Sequence, residues 1–152
     1  MKAGEGREPS RQNELNREDH VLAKAIHTMI RVLDLEASIR FYADVLGLTE
    51  SHRLDFPDFA LVYLRNPEND YEIELTLNKG RTEPYTHGTG YGHVGAVIPD
   101  AAAAHADLTA RGYAPQPVKE FKRGDELLAR FFFIQDPDGY KIEMLERHGH
   151  YR

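Results

Sequence analysis

The chain of 152 residues has no cysteine. That excludes disulfides, thiolate metal sites and a cysteine nucleophile, so any transition metal bound here must use imidazole and carboxylate ligands. Long apolar runs are also missing: nothing approaches the roughly 20 residues needed to span a bilayer, and the N-terminus has no apolar core of a secretory signal. The expected compartment is the cytoplasm. Nor does charge of one sign dominate. The 19 Lys and Arg and 25 Asp and Glu are mixed along the chain for a net charge of -6, which leaves no electrostatic footprint for nucleic acid. A small molecule or a protein is the expected partner. With 41% hydrophobic residues, the chain can bury the core of one ordinary domain or of two half-sized modules.

What is present is a pattern stated twice. His27 opens the apolar run that ends at Val32, and Asp34 follows it; His93 opens Val94 to Ile98, and Asp100 follows at the same offset. Each half closes on a glutamate, Glu74 in YEIELTLN and Glu143 in DGYKIEMLE. The approaches match as well, since Asn66-Pro67 leads to Tyr71-Glu72-Ile73-Glu74 much as Asp136-Pro137 leads to Tyr140-Lys141-Ile142-Glu143. The repeat length, about 66 residues between the two histidines, is too long for a solenoid of small units and fits a duplicated βαβββ module.

Local signals assign the elements. Residues 1–22 are polar and without hydrophobic period, which predicts a flexible N-terminal arm. Ile26, Thr28, Ile30 and Val32 alternate with His27, Met29 and Arg31, so a strand puts the histidine and the arginine on one face. Asp34 then caps a helix whose Leu35, Ile39, Tyr42 and Leu46 recur at helical spacing, and Gly47 stops it. Strands are predicted at 59–64 and 71–78 around the turn Asn66 to Asp70. The second half repeats the order: a strand from His93 to Ile98, a helix Ala101 to Ala110 capped by Asp100 and ended by Gly112, then strands at 131–134 and 140–145. The expected organisation is an arm (1–22), module one (23–80), a linker (81–90), module two (91–147) and a C-terminal tail (148–152). The fold class is α+β, two tandem βαβββ modules forming a cupped mixed sheet around a metal site.

A single strand glutamate usually points to solvent from a half-buried sheet, and a single strand histidine is usually structural. Coincidence changes the weighting, because His27 and His93 occupy one point of their modules and Glu74 and Glu143 another. Four N and O donors converging away from water are costly unless a cation compensates them. Two imidazoles and two carboxylates suit a divalent ion of borderline hardness, and open positions on it imply Lewis-acid chemistry. His52, His87 and His105, and His20, His148 and His150 near the chain ends, do not repeat between modules and are read as solvated or locally bonded.

The segments IHTMIRVLDLEASIRFYADVLGL, IELTLNKG, GTGYGHVGAVI and FIQDPDGYKIEML cover nearly all of residues 24–147. They resemble glyoxalase I (lactoylglutathione lyase) of the vicinal-oxygen-chelate superfamily. The resemblance implies that His27, Glu74, His93 and Glu143 are metal ligands, with nickel or cobalt favoured over zinc by the short, insertion-free core. It implies a site shared between modules of two subunits of a homodimer. The implied reaction turns the hemithioacetal of methylglyoxal and glutathione into S-lactoylglutathione through an enediolate, with Glu143 the principal base and Glu74 serving the opposite face. Arg31 and Asn78 match positions that hold the γ-glutamyl end of glutathione. One segment departs: where many relatives carry a lysine- and glycine-containing loop for the glycyl carboxylate, EFKRGDELLAR introduces Asp125, Glu126 and a Leu pair, and Lys122, Arg123 or Arg130 would replace that grip.

Other members of the scaffold fit less well. An extradiol dioxygenase or a fosfomycin-type thiol transferase uses two His and one Glu, leaving Glu74 surplus. A methylmalonyl-CoA epimerase typically carries Gln at that position. A drug-binding protein of the bleomycin-resistance type needs no metal, so four retained donors count against it.

Overall fold

The computed structural model describes residues 23–152, and the expected N-terminal arm lies outside the described residues. In chain order the elements are β1 (His27–Val32), α1 (Leu35–Leu46), β2 (Thr49–Asp55), β3 (Phe59–Arg65), β4 (Glu72–Asn78), β5 (Val94–Ile98), α2 (Ala101–Ala110), β6 (Lys119–Arg123), β7 (Glu126–Gln135) and β8 (Lys141–Glu146). They form two four-stranded sheets, β1-β4-β3-β2 and β5-β8-β7-β6, of identical topology. The first strand of each unit pairs parallel with the last, and the remaining pairs are antiparallel. The expected α+β class and doubled βαβββ order are both present, with the mixed sheet realised as two separate ladders.

The caps act as the sequence signals them. Asp34 is extended and accepts from the Ala37 amide, and Asp100 accepts from the Ala103 amide, each satisfying an amide that the first helical turn leaves open. Gly47 ends α1 at φ 63°, a left-handed conformation that favours glycine. The buried stripe of α1 is Leu35, Ser38, Phe41, Tyr42 and Val45, rotated from the expected one; Ile39 and Leu46 are only partly buried. The cause is a second neighbour: Phe41 packs edge-on against Tyr113 of module two, with ring centres 5.8 Å apart, so α1 is covered from two sides.

Strands β2 and β6 carry no hydrophobic alternation, and all their residues are exposed, which is why they escape a pattern reading. They are the outer edges of the sheets, where charged side chains protect unpaired backbone groups.

Two polar clasps fasten the modules together. Asp136 of the β7–β8 turn accepts from the Tyr42 hydroxyl of α1 and from the Asp138 and Tyr140 amides, each at 2.9 Å, while Asp138 accepts from the Leu33 amide. At the other end of α1, Asp44 takes the Arg111 guanidinium at 2.7 Å and the Tyr113 hydroxyl at 2.6 Å. Module two is thereby anchored to the helix of module one, and a single hydrophobic core runs through both.

Candidate metal centre

Each sheet brings a histidine and a glutamate into contact on the face away from its helix. On the first sheet, His27 Nε2 lies 2.9 Å from Glu74 Oε2; on the second, His93 Nε2 lies 2.9 Å from Glu143 Oε2. The parallel pairing of first and last strands produces this directly, because β1 beside β4 and β5 beside β8 bring the start of each module next to its end. The backing is also duplicated. Glu74 pairs with Tyr63 and Glu143 with Phe133 across the antiparallel ladders, and these rings meet His27 and His93 edge-on at 5.7 and 5.4 Å.

These donors fit a divalent cation. Two donors held at right angles at about 2.0–2.1 Å from one ion lie roughly 3 Å apart, close to the spacing in both pairs. Glu74 is 7% exposed, and a carboxylate so enclosed needs a compensating positive charge. No group of three or more His, Asp or Glu side chains placed to hold a metal occurs among the described residues. The chain therefore carries two half-sets of two donors each, on different sheets, and does not bring them together itself.

The remaining sequence-expected residues divide. Arg31 shares the face of His27 by alternation, is exposed, and its guanidinium has no hydrogen bond or ion pair among the described residues. Asn78 shares the face of Glu74 and donates from Nδ2 to the Tyr85 hydroxyl at 2.9 Å. The three expected cations of the β6–β7 hairpin are each paired: Lys122 on Glu120 at 2.7 Å, Arg123 on Glu126 at 2.8 Å, and Arg130 on Glu120 and Glu146, both at 2.9 Å. Lys122, with Arg130 adding, holds the Glu120 carboxyl below its usual range.

Arg130 stands apart from the other two. Phe131 and Phe133 pair with Leu145 and Glu143, so the donor face of β7 carries its odd-numbered residues and Arg130 points to the α2 side. There it joins Glu146, which also accepts from the Ala101 amide at the start of α2. Arg130 fastens a helix to a sheet and does not face the donors.

Sequence reasoning missed Tyr63, Phe133 and His52. Tyr63 and Phe133 stand three residues before Asn66-Pro67 and Asp136-Pro137, so superposing the two halves of the sequence would have exposed them. Desolvation, with the charge of Glu74 adding, pushes the Tyr63 hydroxyl up from its ordinary value. His52 pairs with Tyr63 across the β2–β3 ladder and so lies on the donor face, on a strand the pattern did not reveal.

The model of the Glyoxalase/Bleomycin resistance protein/Dioxygenase superfamily matches residues 24–144. The lactoylglutathione lyase of Haemophilus influenzae is 39% identical over 126 residues, 80% of this chain and 90% of that protein. Among solved structures, the trypanothione-dependent glyoxalase I of Leishmania major is 35% identical with a TM-score of 0.67, covering 82% of this chain and 87% of that one. Glyoxalase I of Zea mays superposes with a TM-score of 0.72 at 29% identity, over 83% of this chain and 45% of its own length. A duplicated module that repeats its His–Glu pair on two sheets, matched along nearly all of its described residues, belongs to the Glyoxalase/Bleomycin resistance protein/Dioxygenase superfamily and, within it, to the lactoylglutathione lyase (glyoxalase I) family.

Proposed function

We propose that this chain is a cytoplasmic, metal-dependent lactoylglutathione lyase that isomerises the hemithioacetal of methylglyoxal and glutathione to S-lactoylglutathione. The observation that carries the reading is the repeated His–Glu pair at 2.9 Å, found at equivalent points of two sheets in a chain of this family. The reaction moves one proton from the carbon bearing sulfur to its neighbour and needs neither oxidant nor reductant. A divalent ion held by His27, Glu74, His93 and Glu143 supplies Lewis acidity toward the substrate oxygens.

The protein supplies the rest. Glu143 takes the proton from the carbon bearing sulfur and returns it to the adjacent carbon, the work of a positioned carboxylate. Glu74 serves the opposite face. Arg31 and Asn78, on the donor face of the first sheet, hold the γ-glutamyl end of the thiol. On the second sheet, Lys122 and Arg123 are tied to acidic neighbours, which weakens any grip on a glycyl carboxylate there.

The two half-sets join when the first sheet of one subunit meets the second sheet of another. Exposed apolar side chains support this homodimer, since Met29 and Leu54 stand on the donor face of the first sheet and Phe121 on that of the second, between 38% and 56% exposed. Shared sites follow from this pairing.

The deciding experiment strips the protein of metal, restores nickel, cobalt or zinc separately, and follows thioester formation from methylglyoxal with and without glutathione. Glutathione-dependent turnover restored by nickel or cobalt above zinc is expected. Stoichiometric metal binding without turnover by any ion would overturn the assignment and leave the epimerase to be tested next.

A further inference from the structure

The two donor histidines are seated differently. His27 lies inside the ladder of its sheet, paired with Glu72, and the Glu72 amide also donates to the Ile26 carbonyl at 2.9 Å. His93 lies outside its ladder, which begins one residue later with Val94 opposite Ile142. The segment that leads to it is THGTGYGH, with glycine at positions 88, 90 and 92 and Gly88 in the left-handed region at φ 64°. Glycine loses more conformational freedom on ordering than any other residue. A histidine at the end of such a segment keeps its place only if something else fixes the approach.

Three rings do so. His87 stacks on Tyr140 with ring centres 4.1 Å apart and planes 12° from parallel. Tyr91 closes the cluster, edge-on to Tyr140 at 5.4 Å and 5.8 Å from His87, and its hydroxyl donates to the Lys141 carbonyl at 3.2 Å. Tyr140 is a fixed platform, 8% exposed, whose amide donates to Asp136 and whose hydroxyl donates to the Arg31 carbonyl of β1. The glycine-rich segment is thereby pinned at His87 and Tyr91 to the chain entering β8, just ahead of Glu143. In module one the residue equivalent to Tyr140 is Tyr71, which is 40% exposed, and there the ladder does the seating. His87 is held by its face: its Nε2 is buried without a hydrogen-bond partner among the described residues, which costs stability and leaves stacking as the gain.

We infer that His87 is a positioning residue for the metal centre, whose stacked ring fixes the glycine-rich approach to β5 so that His93 meets Glu143. It acts through His93. The inference rests on the metal-dependent reading above.

The test is equilibrium binding of cobalt to metal-free protein by chelator competition, with the visible absorption of the bound ion reporting its ligand arrangement. His87→Ala is expected to weaken cobalt about tenfold, alter that absorption, and lower kcat with little change in KM. His87→Phe should restore all three, and its melting temperature should not fall below wild type, since a phenyl ring stacks as well and leaves no buried nitrogen unpaired. Tyr113→Phe, which loses the hydroxyl bonded to Asp44 at the far clasp, controls for stability: a lower melting temperature with unchanged cobalt affinity and absorption is expected. Unaltered cobalt binding in His87→Ala, no rescue by His87→Phe, or an equal loss in Tyr113→Phe would each overturn the positioning role and leave the lyase reading standing. Wild-type protein that binds no cobalt, nickel or zinc would end both.

Discussion

Glu74 and Glu143 occupy equivalent points of the repeat, yet the rings across the ladder from them differ by one hydroxyl. Across the ladder from Glu74 stands Tyr63, whose hydroxyl is within the reach of that carboxylate's charge; across from Glu143 stands Phe133, which offers no polar group. A carboxylate beside a phenol has a partner besides any metal, and one beside a phenyl ring does not. Glu143 is also the more open of the two, with a side chain 17% exposed against 10%. Both differences favour Glu143 as the group free to move a proton. Glu143→Gln should therefore retain metal on the other three donors and lose about 100-fold or more of kcat, read by steady-state turnover together with metal content. Near-normal kcat with full metal would place the base elsewhere.

At the scale of elements, period-two alternation and paired caps made β1, α1, β4, β5, α2 and β8 legible, and with them the His27–Glu74 and His93–Glu143 pairs. What stayed hidden has physical causes. The exposed edges β2 and β6 carry no hydrophobic period, and with β7 expected only from residue 131 the parity of Arg130 relative to Glu143 was undetermined. The stripe of α1 is set by a helix packed on two sides, which no local period encodes. The clasp of the β7–β8 turn on α1 was equally invisible, because it joins residues far apart in the chain. Burial at this clasp raises the pKa of Asp136 from its ordinary 3.8, against the opposing hydrogen bonds from Tyr140, Tyr42 and Asp138. A raised folded-state value means that the native protein binds more protons than the unfolded chain between those two values. Stability from this group therefore falls as pH rises through that window and is regained on acidification. Asp136→Asn lacks this response. The melting-temperature advantage of wild type over Asp136→Asn should widen from about pH 7 to about pH 4.5, on the order of 2–4 °C per kcal/mol relieved. A constant gap would show that Asp136 titrates normally.

At the scale of the whole molecule, the clasps have a consequence for where catalysis takes place. They hold module two against α1, and in that arrangement each sheet shows its His–Glu pair on a face that the chain's other half does not cover. Bringing the two pairs together within one chain would break both clasps and open a shared core. Joining the first sheet of one subunit to the second sheet of another keeps them intact and buries the exposed Met29, Leu54 and Phe121. In such a dimer each site draws His27 and Glu74 from one subunit and His93 and Glu143 from the other. Two defective chains can then repair one another. His27→Ala spoils module one and Glu143→Gln spoils module two, so both homodimers are inactive. A mixed dimer places both lesions in one site and leaves the other with four native donors. Random reassortment makes about half the dimers mixed, each with one good site in two, so an equal mixture refolded together should recover about a quarter of wild-type activity. Recovery should appear only after refolding or subunit exchange, and in step with the mixed dimer measured by differential tagging. A mixture that forms mixed dimers yet stays inactive would confine each site to a single chain and sink the shared-site arrangement.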